Sequence, residues 1–419
     1  MPVELPEIAA EQQTPSPPKA IVWLVAFVVV MLANVVSTLL TWPKDDPTTS
    51  VWFWVRLLVF PAIGWCAAFG LRLFYYEEET IRLAAEKEAR DSDHAKATEF
   101  AQEPLAVLRS TYLTAMDADS GGLASAIAQK KRALKSSMPR PGEDAVRHTA
   151  LALNEDKDSL TRYRPLFARL IEQIKESIES LPVDVPFAIR LQAPAGARSA
   201  QVLKTWQICW QECGYRDAPT LLLDPEQGIM VLDEWLDIKG GPSLENFTLY
   251  VAVQLHDEPP ENSAEAGVAL LLGWAPLVER RGLKPIALLH RPVQSETTDF
   301  MTSLPKALLW GRTSSMQVNE VWQAGLTRED RAAFLKNSTD LGLQASKAED
   351  FAGIQDIDRA LGNPGAAAAW LSVVLAIERA WQTREPQLVL APDQHEYLPN
   401  FNLQQLDLSR LGAICLRLI

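Results

Sequence analysis

The sequence predicts an α/β layered domain carried behind an N-terminal helical hairpin of membrane-spanning length. Three observations predict it. Residues 20–40 hold 21 positions without a charge, and at about 1.5 Å per helical residue they reach roughly 31 Å, the depth of a bilayer's hydrocarbon core. Residues 51–76 form a second apolar run whose only charges, Arg56 and Arg72, sit near its ends, where long side chains can reach an interface. Beyond residue 104, continuous apolar runs alternate with amphipathic stretches, the pattern of buried strands covered by helices.

Taken in order, residues 1–19 carry prolines at 2, 6, 15, 17 and 18 and read as a disordered tail. Trp42, Trp52 and Trp54 at the hairpin turn, with Trp23, Phe74, Tyr75 and Tyr76 at the other end, are placed as interfacial aromatics. Residues 77–103 are polar on nearly every face and predict a helical stalk ending before Pro104. Strands are expected over 105–116, 148–153, 185–191, 220–223, 247–255, 266–272, 285–290, 387–391 and 411–418. Helices are expected over 123–137, 159–181, 199–214, 328–341, 354–361 and 366–381. The 159–181 helix is the clearest, with Leu166, Leu170, Ile171, Ile174 and Ile178 along one face. The Gly240-Gly241-Pro242 break divides the domain into a 104–242 half and a 243–419 half.

Composition narrows the function. Residues 77–419 contain 36 Lys and Arg against 48 Asp and Glu, so nucleic acid is a poor partner, since phosphate contact needs clustered cations. The one basic run, Lys130-Lys131-Arg132 with Lys135, reads as a solvated helix face. Cys66, Cys209, Cys213 and Cys415 are too few for a disulfide scaffold of this size. Cys209 and Cys213, four apart on one helix, read as buried apolar thiols. Lys19, Arg72, Arg82, Lys87 and Arg90 flank the outer ends of the hairpin, whereas Lys44 and Arg56 lie near its turn. Five cations against two place both termini in the cytoplasm.

Chemistry is sparse. His256 and Asp257 end an expected strand, and Glu265 and His290 lie at neighbouring strand ends, where acid–base groups or metal ligands can gather. Their spacing matches no metal motif. Ser263 stands between Asn262 and Ala264 rather than between the glycines of a nucleophile elbow. Neither phosphate-binding glycine pattern occurs. His94 and His395 read as exposed. Trp206 and Trp210 share a face and read as core, whereas Trp310 and Trp322 flank a Ser-rich segment expected to loop and are the better candidates for partner contact. No catalytic, cofactor-binding or metal residue is assigned.

Two resemblances add to this reading. Leu361-Gly362-Asn363-Pro364-Gly365-Ala366-Ala367-Ala368-Ala369-Trp370 resembles the glycine–histidine turn and Gly-Ala-Ala helix start in the second half of the thiolase-like ketosynthases. Glu265-Ala266-Gly267-Val268-Ala269 resembles that fold's Glu-Gly-Ala-Ala-Ala strand. The resemblance covers residues 245–419 and implies a thiolase-like half. It departs at Asn363, where that family keeps a catalytic histidine, and no cysteine is placed as the acylating nucleophile, which implies a non-catalytic copy.

The paired membrane segments with Trp42-Pro43, Phe53-Trp54, Pro61 and Trp65 are similar to the type VI secretion lipase adaptor family. So are the 159–181 helix leading into 186–191 and the Asp233-Glu234-Trp235-Leu236-Asp237 segment. This implies a non-enzymatic accessory of a bacterial inner membrane. It would bind a phospholipase effector and load it onto the spike protein of the secretion machine, with no cofactor. The competing expectation is a membrane-tethered enzyme with a degenerate thiolase-like or hydrolase-like site.

Overall fold

The computed structural model describes residues 15–43, 47–116, 122–137, 145–153, 158–196, 198–224, 227–296 and 300–392, and the backbone of 410–417. It divides into two compact units, residues 4–98 and residues 99–419.

The first unit is the expected hairpin. Helix Ala20–Thr41 is followed by a turn of helix at Val51–Trp54, a π-helical turn at Val55–Val59 and helix Phe60–Ala101. Both helical runs are long and apolar enough to cross a membrane, and 0% and 6% of their most apolar windows are buried. Pro61 explains the π turn. It has no N–H to give Leu57 O one helical turn back, and Asn34 supplies the donor instead, its Nδ2 lying 2.9 Å from Leu57 O and 3.1 Å from Arg56 O. Trp23, expected at a rim, packs across the hairpin on Phe69 at 5.2 Å between ring centres and on Trp65 at 6.1 Å. Phe60–Ala101 runs through the expected stalk and stops before Pro104.

Among the described residues the second unit is built on one eleven-stranded mixed sheet. Its strands in chain order are β1 (Leu105–Thr114), β4 (Phe187–Gln192), β5 (Thr220–Leu222), β6 (Phe247–Gln254), β8 (Ala266–Trp274), β9 (Ala287–Leu289), β10 (Val293–Glu296), β11 (Glu320–Gln323), β12 (Ile354–Asp356), β13 (Gln387–Pro392) and β14 (Arg410–Arg417). A small sheet holds β2 (Lys135–Ser137), β3 (Val146–Thr149) and β7 (Ser263–Ala264).

The large sheet repeats itself. From one edge to the middle the order is β5-β4-β6-β8-β1, and from the other edge it is β12-β11-β13-β14-β9. In each set two parallel pairs are followed by two antiparallel ones. The sets meet where β1 pairs antiparallel with β9. The changeover in the chain therefore falls between Trp274 and Ala287, not at the 242/243 break, because β6 and β8 complete the first set.

Continuous apolar strands demand cover on both faces. One face of the first set is covered by helices Ser159–Glu179 and Ser199–Glu212, whose Leu166, Phe167, Leu170 and Trp206 are fully buried. The other face meets helices Val231–Leu236 and Ala368–Thr383. Ala368 through Ile377 are buried at every position, so over these positions the helix has no solvent face, and it is held between β1, β8, β11 and β13.

Several expected elements differ. The 123–137 helix ends at Ala128, and Lys130 turns with φ +62° before β2, so Lys130-Lys131-Arg132 is a loop and not a helix face. Residues 354–361 split into β12 and a single helical turn, Ile357–Ala360, because the first three positions pair with β11. The Ser-rich segment between Trp310 and Trp322 follows helix Phe300–Trp310 and leads into β11. Trp310 and Trp322, expected at a surface, are 1% and 0% exposed; Trp322 donates to Gln387 Oε1 at 3.0 Å. Trp206 and Trp210 are core, as expected. Cys209 is buried but Cys213 is exposed. His94 is half-buried, and His395 lies outside the described residues.

Candidate functional site

The turn at Asn363 is tied down by its main chain. Asn363 N–H donates to Asn262 O at 2.7 Å, and Asn363 O accepts from Ala264 N–H at 2.9 Å, so Asn363 forms an isolated parallel bridge to Ser263 of β7. Gly362 makes this approach possible. It has φ +98°, and a Cβ there would stand 2.4 Å from Ser263 O. The Asn363 side chain turns inward on its own loop, Oδ1 accepting Gly365 N–H at 2.9 Å. Gln254 Oε1 accepts the next amide, Ala366 N–H, at 3.0 Å. The 3-10 turn Gly365–Ala367 that leads into the buried helix is therefore held by carboxamides, which bond amides well and exchange no proton at neutral pH.

Beside this turn lies a polar cluster. His148 Nδ1 is 2.8 Å from Ser263 Oγ and 3.2 Å from Ser263 O, while Ser263 Oγ is 2.6 Å from Pro260 O. The two carbonyls can only accept. The serine proton therefore goes to Pro260, and His148 Nδ1 is the donor to Ser263. That is the reverse of an activated nucleophile, in which the imidazole takes the hydroxyl proton.

The His256 ring meets the His148 ring edge to face at 5.6 Å. Burial, with His148 adding to it, pulls His256 down to about 4, and burial also lowers His148; both imidazoles are neutral at pH 7. Under them Glu265 is held in the core. It accepts from Arg162 Nη1 at 2.8 Å and from Arg162 Nη2, from Leu151 N–H at 2.8 Å and from His256 N–H at 3.1 Å.

Of the residues singled out in the sequence, His256, Glu265, Ser263 and Asn363 come together. Asp257 and His290 do not join them. Asp257 is exposed, accepts Ser159 N–H at 2.8 Å at a helix start and pairs with Arg198. His290 is buried beside Arg291, which bridges Asp233 at 2.7 Å and Asp237 at 2.5 Å and lies 5.2 Å from the Phe100 ring centre. The Asp233–Asp237 segment thus works as a clasp for a buried cation.

His148, Arg162, Gln254 and Arg291 were not foreseen. Arg162 had a readable signal: it stands four positions before Leu166 on the apolar stripe of its helix, and a buried arginine requires a carboxylate. Among the described residues no three His, Cys, Asp or Glu side chains converge as metal ligands. Burial raises the Cys209 and Cys213 thiols, so neither is a ready thiolate at neutral pH.

A cavity of about 550 Å³ opens on the outer side of Asn262 and Asn363. Arg132, Arg147, Arg331 and Arg359 line it, against the carboxylates Glu261 and Asp358.

No family model matches the chain, and no curated protein matches it. Solved structures do. The ketosynthase from module 1 of the bacillaene synthase of Bacillus amyloliquefaciens FZB42 superposes with a TM-score of 0.54 at 12% identity, over 76% of this chain and 77% of that one. The oxazolomycin ketosynthase domain KS7 of Streptomyces albus JA3453 gives 0.53 at 9% identity, over 76% of each chain. The ishigamide ketosynthase/chain length factor gives 0.52 at 12%, over 75% of this chain and 99% of that one. At such identities the likeness shows the fold alone: the unit behind the hairpin is a mixed, layered α/β domain with the thiolase-like fold of the ketosynthases.

Proposed function

We propose that this chain is a non-enzymatic adaptor whose thiolase-like unit binds a protein partner and whose two apolar N-terminal helices anchor it in a bacterial inner membrane. The observation that carries this reading is the Asn363 turn. Where the resembling enzymes keep a histidine, a carboxamide closes on Gly365 N–H at 2.9 Å, and a side chain so used neither accepts nor delivers a proton. The partner implied by the lipase-adaptor resemblance is a phospholipase effector, passed on to the spike of a type VI secretion machine. The cation balance around the hairpin favours a cytoplasmic position for the unit.

A second reading, a tethered hydrolase-like or thiolase-like enzyme, draws on the His148–Ser263 contact at 2.8 Å. It is the weaker one, because Ser263 is 3% exposed and its proton is committed to Pro260. The test is affinity capture of the tagged, detergent-solubilised full-length protein from its own cells. A near-stoichiometric phospholipase or spike protein supports the adaptor. Clean recovery of the chain alone, under mild salt, sinks it.

A further inference from the structure

The arginine-lined cavity is absorbed neither by the core nor by the polar cluster around Ser263. Its four guanidiniums come from four separate segments: Arg132 from the loop before β2, Arg147 from β3, Arg331 from helix Arg328–Asp340 and Arg359 from the turn Ile357–Ala360. Some of that charge is used internally. Arg147 pairs with Glu261 at 2.8 Å, and Arg331 with Asp356 at 2.9 Å and Asp358 at 2.5 Å. Arg359, with a side chain 74% exposed, reaches Asp356 at 3.3 Å, an exposed contact worth little. Arg132 is exposed and makes no ion pair among the described residues. Among the described residues the lining holds four cations against two carboxylates, in a chain whose net charge is −13.

We infer that this cleft is the docking site for an acidic peptide segment of the partner protein, a stretch carrying two or more carboxylates. The proposal rests on the adaptor reading. Arginine forks match carboxylates two bonds at a time, and Arg132 and Arg359 have forks to give. Asn262, exposed, stands at the same wall, and its carboxamide is the kind of group that complements a peptide main chain. The form of the cleft favours a peptide over a small anion. Arg132, Arg147 and Arg359 are exposed and come from three separate segments, so each can take a different carboxylate of one extended chain. An acidic partner is repelled by most of this surface and attracted here, so charge also selects the docking position.

The test uses the full-length protein in neutral detergent micelles and a fluorescein-labelled decapeptide of alternating Glu and Ala. Its Gln–Ala counterpart is the control, and both are titrated by anisotropy. The acidic peptide should bind about tenfold or more tightly than the control, weaken as salt rises, and lose about tenfold in Arg132→Glu/Arg359→Glu. Both substituted side chains are exposed, and an unchanged melting temperature certifies the fold. Equal binding of the two peptides, or of wild type and variant, overturns the inference. So does inorganic pyrophosphate binding in the cleft while the peptide does not.

Capture with the same pair of proteins separates the two claims. A partner held equally by wild type and variant overturns the cleft and leaves the adaptor standing. A partner lost only from the variant supports both. If wild type captures none, the adaptor reading fails, and the titration alone decides the cleft.

Discussion

Arg162 and Glu265 stand 103 residues apart in sequence and meet as a bidentate pair with side chains 9% and 1% exposed. The pair joins helix Ser159–Glu179 to the start of β8, and the remaining Glu265 bonds go to Leu151 and His256 main chain. It is therefore the post on which the polar cluster is mounted.

Removing one partner strands the other charge in the core. Arg162→Met should cost about 3–5 kcal/mol in urea unfolding followed by tryptophan fluorescence. Arg162→Met/Glu265→Gln should recover part of that loss, since no full charge is left unpaired. A single variant within about 0.5 kcal/mol of wild type would show that the pair is not buried as described.

Gly362→Ala tests the Asn363 turn. The φ of +98° and the 2.4 Å approach to Ser263 O both oppose a side chain, and the expected loss is about 1–3 kcal/mol from backbone strain, with the clash added. Amide exchange at Ala264 and Asn363, the two N–H groups that knit the turn to β7, should rise along with it. Unchanged exchange would mean that the turn is held by something else.

The acid response should separate two opposed groups. His256 falls from 6.5 to about 4 on folding, so between those values the unfolded chain holds the extra proton. Its contribution is full above about 6.5 and lost as pH drops toward 4. Burial lifts Asp358 from 3.8 to about 6, so there the folded chain holds the proton, and its contribution grows as pH drops from about 6. The terms offset in wild type. His256→Gln should therefore lose less stability than wild type between pH 6.5 and 4, and Asp358→Asn should lose more. Parallel pH–stability curves for all three proteins would refute both assignments.

In the hairpin, Asn34→Leu should weaken thermal unfolding in micelles by about 1 kcal/mol, a usual size for a hydrogen bond between membrane helices. Asn34→Leu/Pro61→Ala should regain it, because residue 61 then brings an N–H within reach of Leu57 O. If the double variant is no better than the single, the π turn has another cause.

Much of this was written in local pattern. The stripe of Leu166, Leu170, Ile174 and Ile178 gave its helix, uncharged runs gave β6 and β8, and Gly-Asn-Pro-Gly gave the turn before the buried helix. What was not legible depends on distant pairing. Trp322 looked like a partner contact because it flanks a Ser-rich segment expected to loop, yet β11 is inserted between β12 and β13 and buries it. Residues 354–356 have no intrinsic strand signature and become one through β11. His148 could not be joined to Ser263, nor Arg291 to Asp233, without the topology that brings segments 115 and 58 residues apart together. Only Arg162 announced itself, as a cation on an apolar stripe.

The most direct measurement is intact-protein mass spectrometry of the full-length chain after incubation with an acyl thioester and, separately, an activated ester. A protein whose Ser263 proton is committed to Pro260 and whose Asn363 caps its own loop should show no acyl adduct on Ser263 and no turnover of either reagent. An adduct mapped to Ser263 that disappears in His148→Ala would contradict the non-catalytic reading and restore the enzyme.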